Sequence, residues 1–312
     1  MRILITGGAG FIGSSLVHAL VGTHEVGIVD DLSTGTVGNI HPAAWFRTYD
    51  ITDSGLADLV SEFGPDAVVH LAAQSSVPVS VRDPERDWLV NVDGTRAVAA
   101  AAREAGARRV ISASSAAVYG DPASVPLRES AQKRPLNPYG TSKLAAEEAL
   151  AAELAGSAVD FASMRFANVY GPRQDAEGEG GVVAAFCDRL ARGEKPTIFG
   201  SGRQTRDFVY VGDVVNALIM ALGSDAQLRE GSGDGPAYNV GTGTETSVED
   251  LARTLRPIAG FYGEFIHAPA REGDVERSAL DASKARDVFA WDARVPLEVG
   301  LTQTFRWFTA QR

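Results

Sequence analysis

Cysteine is almost missing from this sequence: 312 residues contain one, Cys187, so the chain cannot form an internal disulfide. A lone cysteine is most often a small buried hydrophobic residue, and we expect that here. Histidine is also scarce, with five residues at positions 18, 24, 41, 70 and 267. Their spacing does not match that of metal ligands, so the sequence predicts no metal site.

Long hydrophobic runs are missing too. No uninterrupted apolar stretch is long enough to span a bilayer, and the N-terminus lacks the charged and apolar segments of a signal peptide. Positive charge is in the minority, with 29 Lys and Arg against 40 Asp and Glu and a net charge of −11. This balance argues against a nucleic-acid or membrane partner but leaves room for a local basic pocket that binds phosphate. We therefore expect a cytoplasmic protein.

What the sequence does contain is an alternation of short β-rich runs and helical patterns through its first half. The strand candidates are residues 3–6, 26–29, 45–49, 67–71, 109–113 and 161–165. Such alternation predicts an α/β fold with right-handed crossovers and a Rossmann-type doubly wound parallel sheet. Beyond about residue 170, turn-rich stretches dominate. We expect a dinucleotide-binding domain over 1–170 and a smaller C-terminal substrate-binding lobe over 171–312, with some C-terminal segments crossing back onto the first domain.

The first strand candidate leads into a glycine-rich run that opens a helix, Gly7-Gly8-Ala9-Gly10-Phe11-Ile12-Gly13. Glycines in that context allow a tight turn and close approach of a dinucleotide pyrophosphate to the helix N-terminus. Asp30 and Asp31 end the second strand candidate, 17 residues after Gly13. A carboxylate there accepts hydrogen bonds from the adenosine ribose and repels a 2′-phosphate. This favours NAD over NADP, with Asp30 as the main ribose ligand; alternatively, Asp30 only caps a turn.

Tyr139 and Lys143 are four residues apart and therefore share one face of a helix. The nearby ammonium favours the phenolate form of tyrosine. Lowering a phenol pKa from about 10 to about 7, where a general base works best, needs on the order of 4 kcal/mol. The pair and the glycine run together predict an enzyme that moves a proton and a hydride between an alcohol carbon and a nicotinamide. The alternative is a surface Tyr and Lys on an ordinary helix, because both residue types are common.

Further motifs follow in a fixed order along the chain. They are Asp30-Asp31-Leu32-Ser33-Thr34-Gly35, Asp50-Ile51, His70-Leu71-Ala72-Ala73-Gln74, Asn91, Ser114-Ser115-Ala116-Ala117-Val118-Tyr119-Gly120, Tyr139–Lys143, Arg165-Phe166-Ala167-Asn168-Val169-Tyr170-Gly171-Pro172-Arg173, Arg206-Asp207-Phe208-Val209-Tyr210-Val211 and Arg271-Glu272-Gly273-Asp274. Together they resemble the extended short-chain dehydrogenase/reductase family, and within it the nucleotide-sugar epimerases of the UDP-glucose 4-epimerase type. The resemblance spans nearly the whole chain.

The resemblance implies a role for each matching residue. Ser115, Tyr139 and Lys143 are the expected catalytic residues, with Ser115 bound to the sugar hydroxyl and relaying its proton to Tyr139. The expected NAD-binding residues are Gly7, Gly10, Phe11, Ile12, Gly13, Asp30, Asp31, Ser33, Thr34, Gly35, Asp50, Ile51, Leu71, Ala72, Ala73, Gln74, Asn91, Tyr139 and Lys143. The expected UDP-sugar-binding residues are Ser115, Asn168, Arg206, Arg271 and Asp274. Individually, Ser115 could be a strand-end hydroxyl, Asn91 a helix cap, and either arginine a surface ion-pair partner.

The same resemblance narrows the reaction. The 4,6-dehydratases of this family carry Asp-Glu directly after the catalytic Ser or Thr, and the UDP-glucuronate decarboxylases tend to carry a Glu in this segment. Here those positions are Ala116 and Ala117, which cannot transfer protons. We therefore expect 4-epimerisation by transient oxidation at C4. The rivals are a simple NAD(P)-dependent alcohol dehydrogenase, against which Arg206 and Arg271 argue, and a non-catalytic NAD sensor, which has no need of the three catalytic residues.

Substrate and assembly are less constrained by the sequence. The run from Gly171 to Glu179 is acidic, which favours a neutral hexose over glucuronate, although Arg173 keeps UDP-glucuronate open as an alternative. Ser278 stands where some relatives carry a bulky Tyr, so an N-acetyl group could fit. Two alanine-rich helices, 95–105 and 142–155, suggest a homodimer built on close helix contacts; the alternative is that alanine is merely a good helix former.

Overall fold

The computed structural model describes residues 1–176, 181–231, 235–270 and 275–312. Its strands are β1 Arg2–Thr6, β2 Glu25–Asp30, β3 Trp45–Thr48, β4 Ala67–His70, β5 Arg109–Ser115, β6 Asp160–Phe166, β7 Asn168–Tyr170, β8 Thr197–Phe199, β9 Thr205–Arg206, β10 Phe208–Tyr210, β11 Ala237–Val240, β12 Thr246–Ser247 and β13 Ile266–Ala268. Its helices are α1 Phe11–Leu20, α2 Leu56–Phe63, α3 Val77–Arg82, α4 Pro84–Trp88, α5 Gly94–Glu104, α6 Pro138–Glu153, α7 Val182–Ala191, α8 Val211–Gly223, α9 Val248–Ile258, α10 Ser283–Phe289 and α11 Leu297–Ala310.

Seven parallel strands form the central sheet in the order β11-β6-β5-β4-β1-β2-β3. Its inner strands are buried on both faces: Ile3, Leu4 and Ile5 of β1 are fully buried, and every residue of β6 is buried. Such strands need helices on both sides. Helices α2 and α5 pack together in one layer, and α1 and α8 pack together in another. The predicted Rossmann-type fold is confirmed.

The strand order reverses at β1, whose two neighbours are β2 and β4. In doubly wound sheets, ligands bind beyond the carboxyl ends of the strands at such a switch point. The glycine run follows β1, and the segment from Leu71 to Gln74 follows β4. The fold therefore brings these two segments to the expected ligand-binding edge.

All six strand candidates are present, with ends shifted by one or two residues. The seventh strand of the large sheet, β11, comes from residues 237–240 and pairs with β6. Its sequence, Ala-Tyr-Asn-Val, follows a glycine-rich stretch and is short, so it was not among the strand candidates. A segment beyond residue 170 thus completes the large sheet.

The remaining C-terminal elements surround a separate apolar core. Helices α7, α9 and α11 pack on one another, and their buried residues include Phe186, Leu251 and Leu301. The short strand pairs β7–β10, β8–β13 and β9–β12 lie outside the large sheet. Within the described ranges, each helix is too short or too polar to cross a bilayer.

Candidate active site

The glycine run forms a turn that side chains would block. Gly7 has φ +70°, and a Cβ there would lie 2.6 Å from the backbone nitrogen of Ala72. A Cβ on Gly13 would lie 2.1 Å from the carbonyl oxygen of Gly7. Helix α1 begins at Phe11 after Gly10, whose position has no side chain to cap the first N–H groups. These N–H donors, which no side chain caps, suit a pyrophosphate at the helix N-terminus, so the turn fits a dinucleotide.

Asp30 closes the turn from the second strand. Its Oδ2 accepts from the Ala9 N–H at 2.9 Å and its Oδ1 accepts from the Leu32 N–H at 2.9 Å. Burial raises the pKa of this carboxyl group more than those two hydrogen bonds lower it. A carboxylate oxygen accepts more than one hydrogen bond, so Asp30 caps the loop and retains acceptor capacity for ribose hydroxyls. A Cβ on Gly35 would lie 2.7 Å from Asp30 Oδ1, so glycine keeps this edge open.

The neighbouring loops hold the other residues expected at the adenosine end. Asp31 accepts from the backbone N–H and the hydroxyl of Ser33, at 3.0 and 2.6 Å, while Thr34 is exposed. Asp50 accepts from Thr52 and from Arg86. Burial raises the pKa of Asp50. The hydrogen bonds from Thr52 and the charged Arg86 together lower that pKa by more, so the net shift is downward. Ile51, Phe11 and Ile12 supply buried or half-buried apolar surface.

A buried histidine, His70 at the end of β4, contacts Thr6 of β1 and Thr95 of α5. His70 Nδ1 lies 2.7 Å from the Thr6 hydroxyl, and His70 Nε2 lies 3.0 Å from the Thr95 hydroxyl. Thr95 donates its one hydrogen to the Asn91 carbonyl, so it accepts from His70 Nε2–H. Thr6 accepts from the Ala72 N–H and donates to His70 Nδ1. Burial, and secondarily the charge of Lys143, lower the pKa of His70 to about 3, so the imidazole is neutral.

Asn91 holds the same segment through its side chain. It lies in a π-helical turn, Leu89–Asp93, between α4 and α5; such turns are frequent at functional sites. Its Oδ1 accepts from the Gln74 N–H and its Nδ2 donates to the Gln74 carbonyl, both at 2.9 Å. The side chain therefore clamps the half-buried run from Leu71 through Ala73 to Gln74, rather than capping a helix.

Asn91 also reaches helix α6, which carries Tyr139 and Lys143. Its Nδ2 lies 3.0 Å from the Ser142 hydroxyl, which donates to the Tyr139 carbonyl at 3.0 Å. The Tyr139 N–H in turn donates to the Ser80 hydroxyl at 3.1 Å. The backbone of Tyr139 is thus held from two directions. Helix α6 begins just before it, where Asn137 caps the Gly140 N–H at 2.9 Å.

Helix α6 lies against the end of β5, where Ser115 is found. A Cβ on Gly140 would be 2.6 Å from the Ala117 carbonyl, so the helix and the segment after Ser115 are in close contact. Lys143 is buried, and its Nζ donates to the Ala113 carbonyl at 3.2 Å. The half-buried Ser115 accepts from the Ala117 N–H at 3.1 Å through its hydroxyl oxygen. The predicted catalytic residues therefore belong to one packed junction of α6 and β5.

The residues expected to bind the UDP-sugar are only partly described. Asn168 is half-buried at the start of β7, beside β10. Arg206 is half-buried on β9, and its Nη1 donates to the Thr205 carbonyl at 2.8 Å. Ser278 is half-buried in the loop that precedes α10. Arg271 and Asp274 lie outside the described residues, so their roles stay predictions.

Two observations bear on the one cysteine and on metals. Burial raises the pKa of the Cys187 thiol to about 12, which fits the expected inert, buried residue. In the parts of the chain that the structure describes, His, Cys, Asp and Glu form no group of three that could hold a metal ion.

Sequence reasoning assigned no role to three polar residues behind the junction of α6 and β5, although two of them, Ser114 and Arg165, lie in the motifs quoted above. Ser114, Glu147 and Arg165 form a buried cluster, in which Glu147 accepts from both other residues. Glu147 follows Lys143 by four residues, so the sequence could have indicated that both lie on the same face of the helix. His70 was recognised only as part of a motif, and its two threonine partners are far from it in sequence.

Comparisons with known proteins agree with this geometry. A family model described as the NAD dependent epimerase/dehydratase family matches residues 3–241. The UDP-glucose 4-epimerase of Mycolicibacterium smegmatis is 44% identical over 315 residues, covering 99% of this chain and 98% of that protein. The structure of UDP-glucose 4-epimerase with UDP-glucose from Thermotoga maritima has a TM-score of 0.92 and 39% identity, covering 100% of this chain and 99% of that one.

A second solved structure is as similar in shape. The UDP-N-acetylglucosamine 4-epimerase from Methanobrevibacter ruminantium M1, in complex with UDP-N-acetylmuramic acid, has a TM-score of 0.92 and 32% identity, covering 100% of this chain and 99% of that one. The resemblance drawn from the sequence motifs and the NAD cofactor are both confirmed. The glycine turn, the clamped loops and these full-length similarities together show that the chain belongs to the NAD dependent epimerase/dehydratase family.

Proposed function

We propose that this chain catalyses the 4-epimerisation of a UDP-hexose, interconverting UDP-glucose and UDP-galactose and tolerating their N-acetylhexosamine counterparts. The observation that carries the proposal is the junction of α6 and β5. It gathers Ser115, Tyr139 and Lys143 at the carboxyl end of a sheet strand, next to the loops that fit a dinucleotide. The full-length similarity to named 4-epimerases supports the same reaction.

Three residues of the chain act in this reaction. Tyr139, as phenolate, takes the proton from the sugar O4 and later returns it to the same oxygen. Lys143 favours the phenolate by its positive charge, and its hydrogen bond to Ala113 fixes its position. Ser115 holds the sugar hydroxyl and relays its proton to Tyr139. Bound NAD supplies the reversible oxidation of C4 and ends unchanged, so the net reaction is an isomerisation.

The residues after Ser115 favour epimerisation over elimination. Ala116 and Ala117 start a short 3₁₀ turn, Ala116–Tyr119, and carry no group that could donate or accept a proton. Glu147, which lies on the neighbouring helix, is already paired with Arg165 in a buried ion pair. A dehydratase needs an acid and a base beside the substrate. The two alanines cannot serve as either, and Glu147 is held by Arg165.

The nucleotide would be held from the C-terminal elements. Arg206 offers a guanidinium, whose fork matches phosphate oxygens, and Asn168 offers an amide to the phosphates or the sugar. Arg271 and Asp274 would complete the site; their assignment rests only on the resemblance of their sequence motif to that of the family. The short pairing of β9 with β12 supports the backbone at Arg206.

Two positions bear on which hexose is used. Ser278 is small and half-buried, which leaves room for an N-acetyl group. Arg173 has φ +71°, a backbone conformation uncommon for residues other than glycine and enriched at functional sites. Burial, and then the charge of Asp213, raise the pKa of the Tyr210 phenol, and the Arg173 guanidinium lowers it by less. A cation near Tyr210 is the observation that keeps UDP-glucuronate 4-epimerisation as the second candidate.

The test is a panel of UDP- and dTDP-sugars, with glucose, N-acetylglucosamine and glucuronate as the sugars. Products are separated chromatographically, and NADH is followed by absorbance. We expect a C4 epimer of UDP-glucose without net NADH release. Turnover of UDP-glucuronate alone would favour the second candidate, and stoichiometric NADH release would indicate an alcohol dehydrogenase. NAD binding without turnover of any sugar would favour a sensor and contradict the proposal.

A further inference from the structure

Glu147 lies behind the catalytic junction and is engaged at both oxygens. Its Oε1 accepts from the Ser114 hydroxyl at 2.5 Å and from Arg165 Nε at 2.8 Å. Its Oε2 accepts from Arg165 Nη2 at 2.6 Å. The Arg165 side chain is 4% exposed and the Glu147 side chain is 11% exposed, so the pair is shielded from water.

The same face of α6 makes a second attachment to β5. Lys143 precedes Glu147 by one helical turn, and it donates to the Ala113 carbonyl. Two side chains of one helix face therefore bind consecutive residues of β5, Ala113 and Ser114. The next residue of that strand is Ser115. These two attachments fix how far α6 can slide along β5.

Arg165 extends the attachment across the sheet. Its Nη1 donates to the Tyr119 hydroxyl at 2.9 Å, and Tyr119 donates to Asn239 Oδ1 at 2.7 Å. Arg165 is on β6, Asn239 is on β11 and Tyr119 ends the turn that follows Ser115. Desolvation, offset partly by Arg165, raises the pKa of Tyr119 to about 12, so this phenol is a neutral donor. The cluster therefore holds both sides of Ser115 as well as α6.

We propose that Glu147 is a positioning residue: through Ser114 and Arg165 it sets the register of α6 on β5 at which Tyr139 and Ser115 serve the same sugar hydroxyl. This rests on the roles proposed for Ser115 and Tyr139. Its physical basis is that a displacement near 1 Å of a reacting group costs on the order of 100-fold in rate. A buried ion pair is a poor source of stability compared with apolar side chains, which fits a role in geometry.

Two variants test the proposal, because removing Glu147 alone would leave Arg165 buried without its counter-ion. Ser114→Ala removes the link to β5 and keeps the ion pair. The double variant Glu147→Met with Arg165→Met replaces the pair by apolar side chains of similar length. Ser112→Ala is the matched control, since Ser112 is a buried serine on the same face of the same strand, two residues earlier.

The assays use the full-length protein with its bound NAD. We expect kcat to fall about tenfold in Ser114→Ala and about 100-fold in the double variant, with KM for the UDP-sugar changed less than about twofold. The acid limb of the rate profile should move to higher pH, because a displaced Ser115 hydroxyl stabilises the Tyr139 phenolate less well by hydrogen bonding. In protein labelled with [¹³Cζ]tyrosine, the NMR signal of Tyr139 should likewise titrate at higher pH. The amount of bound NAD in both test variants should equal that in the wild type. Ser112→Ala should have the kcat and the Tyr139 titration of the wild type.

Wild-type kcat together with an unchanged Tyr139 titration, in either Ser114→Ala or the double variant, would overturn the proposal. An equal loss in Ser112→Ala would do so too, because the effect would then be one of strand packing. The NMR titration needs no turnover. If the wild type epimerises no UDP-sugar, the proposed function fails, while the titration still shows whether Glu147 sets the surroundings of Tyr139.

Discussion

His70 Nδ1 lies 2.7 Å from the hydroxyl of Thr6, and this contact joins the end of β4 to the end of β1 directly below the glycine turn. The Thr6 hydroxyl also accepts from the Ala72 N–H, so the imidazole supports the loop that faces Gly7. In the neutral imidazole Nε2–H donates to Thr95, so Nδ1 accepts from Thr6, and protonation of Nδ1 would reverse this hydrogen bond. The cofactor loop is thereby linked to the protonation state of one buried side chain.

The first prediction follows from that link. The pKa of His70 is about 3 in the folded protein, against 6.5 for an ordinary histidine, because of burial and then the charge of Lys143. Below pH 6.5 the unfolded chain gains a proton that the folded chain does not bind, so the free energy of unfolding falls as pH falls. The loss is about 1.4 kcal/mol per pH unit, or about 2 kcal/mol from pH 7 to pH 5.

Urea unfolding of the wild type and of His70→Asn, at intervals from pH 8 to pH 5, measures this loss. The amide of Asn does not titrate, while carboxylates titrate alike in both proteins. The difference in unfolding free energy between the two should therefore shrink by about 2 kcal/mol toward pH 5. Two parallel curves across this range would contradict a buried neutral His70.

The second prediction concerns the glycine turn. Gly7→Ala places a methyl group against the Ala72 backbone and strains a residue with φ +70°. We expect purified Gly7→Ala protein to lose most of its bound NAD, which is measured by extraction and absorbance. The matched control is Gly38→Ala, because a Cβ on Gly38 meets no atom within 4 Å. Retention of NAD by Gly7→Ala at the wild-type level would show that this turn does not carry the cofactor.

The third prediction tests the general base. Tyr139→Phe removes the hydroxyl that we propose takes and returns the sugar proton, so kcat should fall by about 10²- to 10⁴-fold. The NAD content should stay near the wild-type value, since the turn and the Asp30 loop are unchanged. Tyr262→Phe is the control, because Tyr262 is 92% exposed and outside the junction of α6 and β5. Equal kcat in Tyr139→Phe and the wild type would exclude the proposed mechanism.

The fourth prediction concerns pocket size. Ser278→Tyr fills the space proposed for an N-acetyl group, so turnover of UDP-N-acetylglucosamine should fall at least about tenfold relative to that of UDP-glucose. The ratio of the two kcat/KM values is the measurement. Ser61→Tyr, which adds the same bulk at an exposed position on α2, should leave the ratio unchanged. If the wild type does not act on the N-acetyl sugar, the hypothesis about Ser278 is wrong.

The fifth prediction addresses assembly. The alanine-rich helices α5 and α6 pack on each other, and Ala97 and Ala100 of α5 are half-buried. Just before α5, the side chains of Trp88 and Leu89 are 45% and 41% exposed. We propose that this surface forms a homodimer, because close helix contact needs small residues and would cover both large side chains.

Light scattering after gel filtration measures the mass of the assembly. Ala97→Lys should convert a dimer to a monomer, since a buried ammonium without a counter-ion is costly. Ala310→Lys, on an exposed part of α11, is the control and should not change the mass. A wild-type monomer, or a dimer that survives Ala97→Lys, would contradict this interface.

Much of the fold could be read from local patterns. The six strand candidates, the glycine turn and helix α6 each depend on residues that are close in sequence, so periodicity and turn chemistry were sufficient. Strand β11 was missed because four residues after a glycine-rich stretch carry little local signal, and only pairing with β6 makes them a strand. Asp30 shows a mixed outcome: it caps its own loop, and its ribose contact stays a prediction.

The sequence by itself determined the cofactor and the family and predicted which side chains react, because these follow from residue types in ordered motifs at short spacings. The tertiary structure decided how the side chains are held. His70 meets Thr6 and Thr95, and Glu147 meets Ser114 and Arg165, across separations of 18 to 64 residues. Such contacts leave no periodic trace in the sequence. They arise only when crossovers bring distant strands side by side, where burial obliges each polar group to find a partner.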